Sequence, residues 1–141
     1  MIDLNRETLF TKIVKREIPS SIIYEDKNHL AFLSIEPFEK GHTLVIPKLP
    51  YETIMEMPEK EYLELQKVVL KIAKHFEEEL NCGINIWQNN KEISGQEIMH
   101  VHFHIVPRLE KKSTYKLENS SKYLKNEMEN YSMKLKITSN F

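Results

Sequence analysis

Residues 100–106 read HVHFHIV, an alternation of imidazole and apolar side chains in a chain with only six histidines. In an extended strand successive side chains point to opposite faces, so His100, His102 and His104 share one face and Val101, Phe103 and Ile105 the other. The apolar set can bury itself against a core, which leaves the imidazoles lining something else. Same-face neighbours stand roughly 6.6 Å apart along a strand. Unless the rings lean together, a ligand or water must satisfy some of their nitrogens.

The rest of the chain supplies partners for such a strand. Leu9, Phe10, Ile13 and Val14 have helical spacing, with Asn5 placed to cap the helix and Pro19 beyond its end. SIIYE and HLAFLSI, joined by Asp26-Lys27-Asn28, form a hairpin pattern, and HTLVIP alternates as a third strand. From Pro58 to Leu80 the apolar residues Leu65, Val69, Ile72, Phe76 and Leu80 repeat at the helical period, with Gly83 just past the end. GINIWQ is a fourth strand and HVHFHIV a fifth, separated by the polar loop NNKEISGQE. This order predicts an α+β domain on a five-stranded antiparallel sheet over residues 1–110. Residues 111–141, rich in Lys, Asn, Ser and Glu, form a C-terminal extension. Tyr123, Leu124, Met128, Tyr131 and Leu135 give it helical spacing, suited to packing on the domain or on a dimer partner.

At 141 residues, one domain is expected. With 20 basic and 21 acidic side chains there is no electrostatic case for nucleic acid or an anionic membrane. The single cysteine, Cys82, permits no internal disulfide. No window approaches the roughly 18 consecutive apolar residues of a membrane helix, and a cytoplasmic protein is the expectation.

Three chemistries could use the histidine face: a merely solvated surface, a metal site, or nucleophilic catalysis by imidazole on an electrophile such as phosphorus. The residues directly flanking the triad, Ile98, Met99, Pro107 and Arg108, offer no carboxylate or thiolate for a metal. The segment beside the triad does offer donors for phosphoryl oxygens: Asn89, Asn90, Ser94, the backbone at Gly95, and Gln96. His42, after Gly41, reads either as a strand-end histidine or as a fourth member of the group.

HVHFHIV matches at all seven positions the His-φ-His-φ-His-φ-φ signature (φ apolar) of the histidine triad (HIT) family. FTKIVKREIPSSIIYED, GHTLVIPK, INIWQNN and GQE follow that family's order over roughly residues 8–110. The chain most resembles the microbial HIT hydrolases near the dinucleoside polyphosphate hydrolase branch. The resemblance implies a homodimer that binds a purine nucleotide and reacts at its α-phosphorus. His102 would be the nucleophile, forming a nucleotidyl-imidazole that water resolves, so that two in-line displacements retain configuration. His100 and His104 would support it and contact phosphate, and His42 would join them. Asn89, Ser94, Gly95 and Gln96 would hold phosphates or the leaving group, Ser34 would sit at the ribose, and Phe10, Ile13 and Ile35 would line the base pocket. No cofactor is required on this reading, although a divalent cation can accompany a polyphosphate substrate.

The implied substrate is a dinucleoside polyphosphate. An adenosine phosphoramidate, or a sensor role with incidental turnover, are the alternatives. Four departures from the family pattern stand out. Ser34 replaces the usual Asp or Asn. Thr8 and Thr11 stand where many microbial relatives carry the Cys-x-x-Cys of a structural zinc site, with Pro50 at another ligand position, so no zinc is expected. Lys91 replaces a glycine, and Glu39-Lys40 precede Gly41 in place of a small residue and proline.

Overall fold

The computed structural model describes residues 2–115 and 121–138. Five strands, β1 (Ile22–Glu25), β2 (His29–Leu33), β3 (Thr43–Pro47), β4 (Gly83–Gln88) and β5 (Phe103–Arg108), form one sheet in the order β1-β2-β3-β5-β4. Every pairing is antiparallel. Helices α1 (Leu9–Val14), α2 (Glu59–Leu80) and α3 (Glu127–Leu135) complete it. The α+β class and the five-stranded sheet are those the sequence predicts.

Alternation along the strands divides the apolar residues between two faces. Ile23, Ala31, Leu33, Val45, Phe103 and Ile105 pack with Leu65, Val69, Ile72 and Phe76 of α2 in the main core. Leu30, Phe32 and Ile46 face the other way and pack under Phe10 and Ile13 of α1. The second layer is thin, because α1 is only six residues long. It covers one end of its face and leaves the rest open.

Three local expectations are corrected. Thr8, rather than Asn5, caps α1. Its hydroxyl accepts the Thr11 amide at 3.0 Å while the Thr11 hydroxyl accepts the Thr8 amide at 2.8 Å, a reciprocal box that satisfies two helix-end donors. At the end of α2, Asn81 takes the left-handed position (φ 49°) and its amide reaches the Glu77 carbonyl, so Gly83 is free to open β4.

The third correction concerns the histidine segment itself. Regular pairing starts at Phe103, and His100 and His102 lie ahead of it. The register that pairs Val45 with Phe103 would bring Val101 opposite Pro47, which has no amide to give. Val101 instead donates to the Tyr51 carbonyl at 2.8 Å, and His100 to the Ile98 carbonyl at 2.9 Å. The chain therefore bends out of the sheet at the triad.

Among the described residues of the C-terminal extension only Glu127–Leu135 is helical, and Leu124 is exposed. Residues 116–120 and 139–141 of the expected extension lie outside the described residues. Leu135 is fully buried in the main core, and the Ile137 amide donates to the Ile23 carbonyl at 2.8 Å. Within one chain, then, α3 packs on α2 and β1. Among the described residues no helix is long and apolar enough to cross a membrane.

Candidate active site: four histidines beside an open cavity

Four of the chain's six histidines come together on the thinly covered face, each fixed by a different backbone or side-chain partner. His42 leads into β3, where Gly41 turns with φ 91°. A Cβ at Gly41 would approach the Pro107 ring at 2.9 Å, so glycine is needed both for the angle and for the space. The Phe38 amide donates to His42 Nδ1 at 3.0 Å, and His42 Nε2 lies 2.9 Å from His104 Nδ1. Nδ1 of His42 is thus an acceptor, which places the proton of the neutral ring on Nε2. That proton is donated to His104 Nδ1, so neutral His104 carries its own proton on Nε2.

A second chain of bonds fixes the other pair. His102 Nδ1 stands 2.7 Å from the His100 carbonyl, and His100 Nε2 stands 2.7 Å from the Pro47 carbonyl. A carbonyl only accepts, so both nitrogens donate. His102 Nε2 is left with a lone pair, and His100 Nδ1 becomes an acceptor 2.7 Å from the Thr8 hydroxyl. Six of the eight ring nitrogens are therefore engaged by the protein, and the remaining two are His102 Nε2, a lone pair, and His104 Nε2, a donor.

The rings lean closer than an ideal strand spacing suggests, with 5.0 Å between the His102 and His104 centroids. Phe38 stacks on His104 at 5.4 Å and lies 4.3 Å from His42, while Phe10 meets His102 edge-on at 5.1 Å. Burial is the main force on their titration. It pushes His42 down to about 3, with help from His104, Arg108 and His102, and it pushes His104 down to about 3, with help from His102. His100 is pushed to about 4 by burial, against the pull of the Pro47 carbonyl, with His102 and Arg6 adding to the fall. Burial also lowers His102, opposed by the His100 carbonyl and Glu97. The cluster is a set of neutral imidazoles at neutral pH.

A cavity of about 720 Å³ opens beside them. Its walls include His42, His102, His104, Asn89, Ser94, Gly95, Ser34 and Ile35, together with Phe10 and Ile13 of α1. Three of the residues expected at phosphate lie elsewhere: Asn90 is turned away, its oxygen accepting the Ile54 amide and its amide donating to Gln88, and the other two are His100 and Gln96. His100 is fully buried behind the cavity with both ring nitrogens engaged. Gln96 is also buried, its amide donating to the Glu52 and Ile98 carbonyls while its oxygen accepts from the Lys91 amide at 2.6 Å. It braces the loop that carries Asn89, Ser94 and Gly95. Ile35 reaches the cavity mouth but is 79% exposed.

Several wall residues were not legible in the sequence. Ile18, Pro19 and Ser20, from the turn after α1, and Leu44 and Ile98 complete the apolar end. Phe38 stands in the segment EPFEKG, which carries neither a helix nor a strand period, although an aromatic residue four before a conspicuous histidine is a usable signal. The extension also contributes from outside. The Tyr123 hydroxyl accepts the Gly41 amide at 2.8 Å, and Lys40 pairs with Glu127 at 2.9 Å, which braces the segment holding Phe38 and His42.

The positions where zinc ligands occur in many microbial relatives are used differently. Thr8 and Thr11 spend their hydroxyls on the cap of α1, and the Pro50 carbonyl accepts from Arg6 at 2.6 Å. Neutral hydroxyls are poor zinc ligands, and the adjacent imidazole, His100, has no nitrogen to spare. This donor set does not fit zinc.

Fold and site together define an α+β protein that presents one unprotonated imidazole nitrogen and one imidazole N–H to an apolar-walled cavity. Comparison with known proteins agrees with the fold. The HIT domain model matches residues 15–111, and the chain belongs to the HIT family. It is 48% identical over 102 residues to an uncharacterized HIT-like protein of Methanocaldococcus jannaschii, covering 72% of this chain and 79% of that one. It is 36% identical over 110 residues to the adenosine 5'-monophosphoramidase HNT1 of Saccharomyces cerevisiae, covering 78% of this chain and 68% of the relative. Among solved structures, a Hit-like protein of Bartonella henselae superposes with a TM-score of 0.81 at 33% identity, over 95% of this chain and 97% of that one.

Proposed function

We propose that the chain is a nucleotide hydrolase that transfers the nucleotidyl group to His102 Nε2 and then to water. The observation that carries this reading is the His102 tautomer. With its Nδ1 proton held by the His100 carbonyl, the ring presents a neutral lone pair to the cavity, and a neutral imidazole needs no base to activate it. A purine and ribose would occupy the end of the cavity walled by Phe10, Ile13 and Ile18, with Ser34 beside the sugar.

In the first step Nε2 forms a bond to the α-phosphorus as the bond to the leaving group breaks. The leaving group takes up a proton from solvent as it departs, and the His104 N–H stands beside the nucleophile to hydrogen-bond a phosphoryl oxygen. In the second step water attacks the same phosphorus and gives up a proton to solvent, the N–P bond breaks, and a nucleoside monophosphate and a neutral imidazole are released. Positioning and neutral donors suffice, because phosphoryl-type transfer asks little else of the protein. No cofactor enters either step.

A nucleoside phosphoramidate is the substrate class best supported, by the relative of Saccharomyces cerevisiae named for that activity. A dinucleoside polyphosphate is the second reading. It is favoured by Lys91, an exposed cation in the Asn89 to Gly95 loop where further phosphates would lie. Steady-state assays of both substrates with wild type and His102→Ala decide the matter. Wild-type turnover that the variant loses supports the reading, and equal turnover by both proteins overturns it. The same reading includes a homodimer, for which the open outer edge of β4 and the exposed Ile86 on it are the support. Sedimentation equilibrium tests it, and a monomer at all concentrations would count against it.

A further inference from the structure

Thr8 has a second task besides capping α1. Its hydroxyl oxygen accepts the Thr11 amide and lies 2.7 Å from His100 Nδ1, so its one proton is free to go to that nitrogen. His100 is then held at both ring nitrogens, by Thr8 on one side and the Pro47 carbonyl on the other. A ring pinned at both ends fixes the backbone from which its own carbonyl projects, and that carbonyl is the group that orients His102. Phe10, two residues into the helix that Thr8 caps, closes against both rings, at 5.6 Å from His100 and 5.1 Å from His102.

We infer that Thr8 is a positioning residue for the reaction, a hydroxyl relay that holds His100 as the neutral Nε2–H tautomer and through its carbonyl keeps His102 Nε2 aimed into the cavity. The inference rests on the proposed role of His102. It assigns a function to a helix-cap residue that touches no substrate. The charged and titratable groups acting on His100 are Arg6 and His102, with Glu97 acting on His102, and none of them hydrogen-bonds His100 Nδ1, whose partner is the Thr8 hydroxyl. A hydroxyl that has already accepted the Thr11 amide therefore favours the neutral ring.

The test separates the cap from the relay. Thr8→Asp keeps an acceptor for the Thr11 amide but has no proton to give, and its carboxylate would draw a proton onto His100 Nδ1. Thr8→Val removes both functions, and Thr8→Ser keeps both. Nitrogen-15 NMR of the labelled histidines reads the tautomers without requiring turnover, and steady-state kinetics across pH reads the consequence. In wild type and Thr8→Ser, His100 should show protonated Nε2 and bare Nδ1 at neutral pH, and in Thr8→Asp a proton on both. For Thr8→Asp and Thr8→Val, kcat should fall by about tenfold to a hundredfold with KM little changed, the order expected when a reacting group loses its alignment. In Thr8→Asp the acid limb of the pH profile should also move to higher pH. Wild-type tautomers and kcat in Thr8→Asp would show that only the cap matters and overturn the inference. The expected tautomers in a protein that turns over neither substrate would support the relay and overturn the reading of function instead.

Discussion

His102 Nδ1 donates to the carbonyl oxygen of His100, two residues back in the same chain, at 2.7 Å. The contact is possible because the backbone leaves the sheet before Phe103, which lets the His102 ring fold back over its own approach. In regular strand geometry that carbonyl would point sideways into the ladder. The irregularity imposed by Pro47 on the neighbouring strand is thus what sets the tautomer of His102.

Removing the His102 side chain should separate chemistry from stability. His102→Ala deletes the lone pair at the cavity and leaves the ring nitrogens of His42, His100 and His104 with their hydrogen-bond partners. Turnover should fall by at least about three orders of magnitude, as for other nucleophile deletions, while thermal unfolding shows one cooperative transition near that of wild type. Substantial turnover in this variant would remove His102 from the reaction.

Acid should destabilise the protein through the same cluster. The four histidines have folded-state values below their unfolded values, so the folded protein binds fewer protons than the unfolded chain at mildly acidic pH. The stability they contribute is fully present above the unfolded value near ~6.5 and is lost as pH falls toward the folded values of about 3 to 4. Each fully linked histidine adds a slope of about 1.4 kcal/mol per pH unit within that window. Urea titrations at pH 7.5, 6, 5 and 4.5 measure it. A flat profile over this range would mean that the rings are not buried as neutral groups.

Gly41 should tolerate no side chain. Alanine there would hold φ near 91° while its Cβ pressed on the Pro107 ring at 2.9 Å. Gly41→Ala should cost about 1–3 kcal/mol and, because His42 follows directly, should lower kcat as well. Denaturant melts and kinetics on one preparation would show both effects together.

The extension should act on the site at a distance. Tyr123→Phe removes the acceptor of the Gly41 amide and Glu127→Gln weakens the pair with Lys40, yet neither residue lines the cavity. Loss of the Tyr123 hydroxyl should cost about 0.5–1.5 kcal/mol, and loss of the Glu127 charge should add little. Faster amide exchange confined to residues 38–42 is the expected signature, read by hydrogen exchange of wild type and the double variant.

Legibility in the sequence followed the physics of each element. The sheet, α2 and the shared placement of His102 and His104 were readable because periodicity reports burial directly, and Leu65, Val69, Ile72 and Phe76 all face the core. Two features escaped because they depend on partners far away in sequence. His100 departs from the alternation only because Val101 would meet a proline on β3. Thr8 stands 92 positions from the ring it contacts, and nothing near it in sequence marks that bond. Gln96 read as a phosphate donor because an amide near the triad can serve either purpose. Burial, which a sequence does not show, assigned it to the loop.

The most direct test of the account is to trap the intermediate. Wild-type protein mixed with excess adenosine phosphoramidate, quenched in alkali within a turnover, digested and examined by mass spectrometry should carry one nucleotidyl group on the peptide containing residues 98–108. Fragmentation should place it on His102. A nucleotidyl group on His42, His100 or His104, or no adduct in a protein that turns the substrate over, would contradict the claim that His102 Nε2 is the attacking atom.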